Sequence, residues 1–178
     1  MSRIDVFNGD ADGLLALHQL RLAEPAESML VTGPKRDIEL LQRIEADEGD
    51  AVTVLDLSLD KNRAALLRLL DGGAAVRYFD HHFFGDIPLH HRLVAWLDAA
   101  PDVCTSLLVD RYLGGRHRAW AVAAAFGDNL HEAARQAAAP LALPEEQILQ
   151  LRELGECLNY NGYGETLADL HFHPAELY

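Results

Sequence analysis

The chain has 178 residues, 49% of them hydrophobic, enough to bury one full core with a small helical extension. Its 15 Lys and Arg stand against 28 Asp and Glu, a formal net charge of −13. That charge argues against tight binding to long duplex nucleic acid, which needs clustered basic residues to neutralise phosphates. No apolar run approaches the ~18 residues of a membrane span.

Ile4–Phe7 reads as a strand, too short for a signal-peptide core, and it runs into Asp10 and Asp12. A helix over Gly13–Ala23 follows, with Leu14, Leu17 and Leu20 on one face. Ser28–Thr32 is a second short strand, closed by Gly33-Pro34, and Ile38–Glu45 has the pattern of a helix. Ala51–Leu57 is a third strand whose continuous apolar character suits burial on both faces, with Asp56 at its end. Asn62–Leu70 reads as a helix stopped by Gly72-Gly73. Ala75–Phe79, the fourth strand, runs into Asp80-His81-His82, and Leu93–Leu97 is a further strand.

From there the composition is helical: Val103–Leu113, Arg116–Phe126, Asn129–Ala139 and Glu145–Leu158, with Pro144 at the start of the last. Asn159–Gly164 reads as a turn and Leu167–Tyr178 as a short helix or a linker. The expectation is one domain over 1–165 and a tail or linker start over 166–178. Cys104 and Cys157 have neither disulfide-framework nor zinc spacing and read as small buried residues in a reducing compartment. A cytoplasmic protein is expected.

The alternation predicts an α/β fold: a mostly parallel sheet with helices on both faces, followed by a helical C-terminal half. Ligands of such sheets bind beyond the carboxyl ends of the strands. Asp10, Asp12, Asp56 and Asp80-His81-His82 all fall there, and Asp128 follows the apolar run Trp120–Phe126. Singly, each has a plain alternative. Asp12 and Asp128 are good helix caps, Asp56 is a good turn residue, and His81-His82 is an ordinary loop pair. Together, acidic strand ends with two histidines point to a metal site. Lys35 and Arg36 can meet a phosphate, although a solvated loop is the simpler reading. Capping is the simpler reading for Thr105 and Ser106, with a phosphate contact by Ser106 as the alternative.

Four motifs in order, Asp10-Ala11-Asp12-Gly13, Asp56, Asp80-His81-His82 and Asp128, resemble the DHH phosphoesterase superfamily. It includes single-strand exonucleases, nanoRNases and family II pyrophosphatases. The resemblance implies two divalent ions, usually Mn2+ with Mg2+ or Co2+ as substitutes, and hydrolysis of phosphoesters or phosphoanhydrides. By that resemblance Asp56 bridges the ions, Asp10 serves the first, and Asp12, His81 and Asp128 serve the second. His82 touches the substrate phosphate and Asp80 orients the site. Two departures stand out. Val6 replaces a metal-binding His of the pyrophosphatases, and Asn8 replaces an Asp of the exonucleases, keeping a carbonyl oxygen for metal or substrate but no charge. Most members also carry a second, substrate-binding domain, which the residues up to Tyr178 do not include.

The expected function is therefore a manganese-dependent phosphohydrolase for a small phosphorylated substrate or short oligonucleotide. A pyrophosphatase or polyphosphatase and a non-catalytic metal- or nucleotide-binding module are the alternatives. A response-regulator-like scaffold with Asp56 as phosphoacceptor ranks last, since it leaves His81-His82 and Asp128 unexplained. Whether the chain forms a homodimer stays open.

Overall fold

The computed structural model describes residues 2–178. Five strands, β1 (Arg3–Asn8), β2 (Met29–Gly33), β3 (Ala51–Leu55), β4 (Ala75–Asp80) and β5 (Leu93–Leu97), form one sheet in the order β2-β1-β3-β4-β5. Every pairing is parallel, so all carboxyl ends share one edge. Strand periodicity sends alternate side chains to opposite faces. Ile4, Val6, Val52, Val54, Val76 and Tyr78 enter one apolar core, and Phe7, Leu55 and Phe79 enter the other.

Helices α1 (Ala11–Ala23), α2 (Leu59–Asp71), α3 (Thr105–Tyr112), α4 (Arg118–Gly127), α5 (His131–Ala138), α6 (Glu145–Asn161) and α7 (Pro174–Leu177) complete the chain. The first core is closed by α2, through Leu66, Leu69 and Leu70, and by Leu40, Leu41 and Ile44. The second is closed by α1, α3 and α4. The α/β architecture with a helical second half is as the sequence predicts.

Three local expectations change. Ile38–Glu45 is not a helix, and only Leu40–Arg43 forms a 3-10 turn. The side chains of α2 satisfy its backbone instead. Asn62 Nδ2 donates to Ile38 O (2.7 Å), Leu41 N donates to Asn62 Oδ1 (3.3 Å), and Arg68 donates to Ile44 O (3.0 Å). Asn159–Asn161 is not a turn but the last turn of α6. It is held there by Asn161, which exchanges two 2.9 Å hydrogen bonds with the Phe172 backbone. Cys104 is buried as expected, whereas Cys157 is exposed on α6. Among the described residues no helix is long and apolar enough to cross a membrane.

Two features position the site. The chain leaves β1 through α1 to reach β2 on one side and returns to β3 on the other, so the strand order reverses between β1 and β3. Crevices at such switch points are where α/β sheets bind ligands. Helices α4 and α6 also cross very closely. A Cβ on Gly155 would lie 1.9 Å from Ala123 O, and one on Gly127 would lie 2.6 Å from Gly155 O. Glycine at both positions brings the ends of the two helices to the same edge of the sheet.

Candidate metal centre

Asp10 leaves β1 as the N-cap of α1. Its Oδ1 accepts hydrogen bonds from Asp12 N (3.0 Å) and Gly13 N (3.2 Å). Gly13 permits this turn, since a Cβ there would stand 2.3 Å from Asn8 O. Asn8 Oδ1 accepts from Asp10 N (3.2 Å) and its Nδ2 donates to Lys35 O (3.1 Å). The Asn8 amide is thus committed to backbone partners.

Asp12 lies in the first turn of α1, but its carboxylate caps a different helix. Oδ2 accepts from Thr105 N and Oδ1 from Ser106 N, both at 2.7 Å, at the start of α3. The N-cap residue of α3, Cys104, supplies no side-chain bond, so Asp12 takes that place and sits at the positive end of the α3 dipole. The Ser106 hydroxyl is fully buried and donates to Asp12 O (2.9 Å). The hydroxyl thus braces the Asp12 backbone.

Asp56, just past β3, has φ 60°. A left-handed backbone at a non-glycine residue costs on the order of 1 kcal/mol and is characteristic of functional sites. The conformation delivers a buried carboxylate to the crevice, where Thr105 Oγ1 donates to its Oδ1 (3.1 Å). Asp80 is fully buried at the end of β4. One of its oxygens accepts from Leu59 N (3.3 Å), and the other meets His82 N (3.2 Å) and His82 Nδ1 (2.7 Å). Asp80 thereby fixes the ring of exposed His82 to the start of α2.

His81 is the hub. Its Nε2 lies 3.4 Å from Asp56 Oδ1, 3.7 Å from Asp12 Oδ2 and 3.8 Å from Asp128 Oδ2. Asp128 is the C-cap of α4. Candidate ligand atoms in two triads, Asp56-His81-His82 and Asp12-His81-Asp128, lie within 4.8 Å of one another. Asp10 belongs to neither. Adjacent ligands round an ion with ~2.1 Å bonds stand ~3 Å apart, so these atoms need only a small contraction. Carboxylate oxygens with imidazole suit a hard divalent ion such as manganese.

The electrostatics also fit a cation. Burial, and next the charge of Asp56, raise the Asp12 carboxyl to about 7. Burial and the charges of Asp12 and Asp10 raise Asp128 to about 6. Burial and Asp10 raise Asp56 as well. Burial pulls His81 down, but its hydrogen bond to Asp56 and the surrounding carboxylates outweigh that and raise it to about 10. In His82 the hydrogen bond to Asp80 likewise outweighs burial and raises the pKa. So much negative charge in one crevice is what a divalent ion relieves.

The site also takes in residues for which the sequence favours a plainer role. Lys35 is not in a solvated loop. Its Nζ lies 2.7 Å from Asp10 Oδ2, 3.0 Å from Asn159 Oδ1 and 3.4 Å from Asp128 Oδ1. Burial opposes its charge, but Asp10 and then Asp128 and Asp56 raise its pKa. Its place just after β2, on the carboxyl edge, was the available signal. Thr105 stands out in the sequence only as a helix-opening residue and Asn159 only as part of a turn-like segment, because helix packing brings both into the site. His171 and His173 stay outside: His171 stacks on Tyr160 (5.9 Å between centroids) and His173 caps α7.

No protein-family model and no curated protein matches the chain. Solved structures do. A DHH domain described as a member of the S1p family of ribosomal proteins superposes with TM-score 0.62 at 17% identity, over 89% of this chain and 47% of that one. A manganese-bound exonuclease RecJ gives 0.53 at 24%, over 90% and 49%. RecJ from Thermus thermophilus, in complex with Mn2+, gives 0.50 at 24%, over 90% and 27%. The chain spans about half the length of the first two and about a quarter of the third. Its fold is that of the DHH domain.

Proposed function

We propose that this chain is a divalent-metal-dependent phosphohydrolase acting on small nucleotides, other small phosphorylated compounds or short oligonucleotides, with manganese as the preferred ion. One observation carries the reading: Asp12, Asp56, His81 and Asp128, from four separate segments, converge at the switch point between β1 and β3. The manganese in two solved structures of the same fold supports it.

A divalent ion here would be held by Asp12, Asp56, Asp128 and His81, and would supply charge neutralisation for phosphate oxygens and a water acidified towards neutral pH. The chain's own groups do the rest. The α3 amides and the Ser106 hydroxyl fix Asp12, and Thr105 fixes Asp56. Asp80 holds His82 through Nδ1 and so leaves Nε2 at the far, exposed side of the ring. A protonated His82 there donates to a phosphate oxygen and neutralises charge as the leaving group departs. Lys35 adds a second positive charge, and the net charge of −13 makes such local cations necessary for attracting an anion.

The test is hydrolysis of a nitrophenyl phosphodiester, a dinucleotide, a cyclic dinucleotide, adenosine bisphosphate and pyrophosphate, each with manganese, magnesium or chelator, beside Asp56→Ala. Manganese-dependent turnover lost in the variant is expected. Turnover of pyrophosphate alone would favour the phosphoanhydride alternative. No turnover by protein that binds manganese would favour a binding module.

A further inference from the structure

We infer that the Lys35 ammonium takes the place of one of the two cations, so that the chain holds a single divalent ion beside a built-in positive charge on Asp10. The inference rests on the metal-site reading above and concerns how that site is filled.

The ligand triads share His81, and all three of its close approaches to carboxylates in them, to Asp12, Asp56 and Asp128, are made by Nε2. An imidazole nitrogen has one in-plane lone pair and serves one ion. The two triads therefore describe one ion position, lined by Asp12, Asp56, Asp128 and His81, with His82 at its edge. A second ion would need Asp10. Asp10 Oδ1 accepts from two amides, Asp12 N and Gly13 N, which fills both its lone pairs, and Oδ2 is paired with Lys35 at 2.7 Å, whereas each Asp12 oxygen accepts from a single amide.

Lys35 is built into this position. Its backbone is pinned on both sides, Lys35 N donating to Gly162 O (2.8 Å) and Lys35 O accepting from Asn8 Nδ2 (3.1 Å). Its ammonium is gripped by Asp10, Asn159 Oδ1 (3.0 Å) and Asp128 (3.4 Å), with the Tyr163 ring 5.9 Å away. An ammonium donates three hydrogen bonds and accepts none, and these three oxygens match that capacity. A divalent ion on Asp10 would have to displace it against direct charge repulsion.

The experiment counts metal on the full chain. Protein is dialysed against saturating manganese, bound ions are quantified per chain, and the Mn2+ electron paramagnetic resonance spectrum is recorded for wild type, Lys35→Met, Lys35→Ala and Asp10→Asn. One ion per wild-type chain, with the six-line spectrum of an isolated ion, is expected. In folded Lys35→Met or Lys35→Ala a second ion and an exchange-coupled spectrum are expected. Asp10→Asn keeps the N-cap and should retain one ion with affinity within about threefold, Asp10 being no ligand. Two coupled ions in wild type would overturn the inference and leave the hydrolase reading standing. One ion in both wild type and the Lys35 variants would also overturn it, because Lys35 would then exclude nothing. No ion in wild type would overturn the metal-site reading itself. Should the Lys35 variants not fold, the wild-type count and Asp10→Asn decide.

Discussion

Ser106 holds Asp12 twice, its amide donating to Asp12 Oδ1 at 2.7 Å and its hydroxyl to Asp12 O at 2.9 Å. Residues 94 positions apart thus form one unit, in which the carboxylate caps α3 and the helix aims the carboxylate. Ser106→Ala keeps both amide bonds to Asp12 and removes only the hydroxyl. It should cost about 1 kcal/mol of stability and no more than about tenfold in metal affinity. KM for a phosphate substrate should not change. A large rise in KM with metal affinity intact would show that Ser106 meets the phosphate directly.

The metal-free protein should lose stability steadily as pH rises. Asp12 is raised from 3.8 to about 7, so its ionisation costs the fold increasingly across that interval. His81 is raised from 6.5 to about 10, so the stability its protonated form contributes is complete below 6.5 and gone by about 10. Both effects run the same way. Thermal melts in chelator should show Tm falling from pH 4 towards 10, before any general alkaline unfolding. Manganese should restore more Tm at higher pH, because ligands must shed protons to bind it. Calorimetry in buffers of different ionisation enthalpy should detect proton release at neutral pH. A pH-independent gain in Tm would contradict the protonated cluster.

Asp56→Asn separates the roles of Asp56. Asn tolerates the left-handed backbone that Asp56 adopts at φ 60° and can still accept from Thr105 Oγ1. The variant should fold and be at least as stable as wild type without metal, since one buried charge is removed. Manganese affinity should fall by more than the 10–100-fold typical of outer contacts, and turnover with it. Retained manganese affinity would remove Asp56 from the ligand set.

Asp80 offers a complementary case. It lies outside both ligand triads and binds His82 and the start of α2. Asp80→Asn keeps the hydrogen bond to an amide but weakens the hold on a protonated His82. Manganese stoichiometry should persist, while kcat falls and the pH dependence that His82 contributes shifts to lower pH. A loss of stoichiometric metal would make Asp80 a ligand.

The acidic strand ends were legible because a parallel sheet puts every carboxyl end on one edge, so β1, β3 and β4 had to bring Asp10, Asp56 and His81 together. Asp128 was legible only through its motif, since no strand delivers it. Lys35 sits at a strand end too, but a basic residue after a short edge strand reads more simply as surface. The Ile38–Glu45 segment misled for a tertiary reason. Its leucines have helical spacing, yet Asn62 and Arg68 of α2 satisfy its backbone in place of helical hydrogen bonds. Asn159 was hidden in a turn-like composition that the α4–α6 contact converts to helix.

That contact supplies the last test. A methyl at Gly155 would lie 1.9 Å from Ala123 O and 2.9 Å from Gly127 N, both backbone atoms that no rotamer can move. Gly155→Ala must therefore push α6 away from α4. Such overpacking costs about 1–3 kcal/mol, and at this chain length each kcal/mol lowers Tm by about 2–4 °C. A drop of roughly 2–12 °C is expected despite the better helix propensity of Ala. Asn159 lies four residues on, along the same face of α6, and its bond to Lys35 should lengthen as the helix retreats. The control is Glu156→Ala, which removes only an exposed ion pair with Arg152 and should leave Tm within about 1–2 °C. Equal melting of Gly155→Ala and wild type would mean that α4 and α6 do not depend on the glycine contact, and that Asn159 reaches Lys35 by some other support.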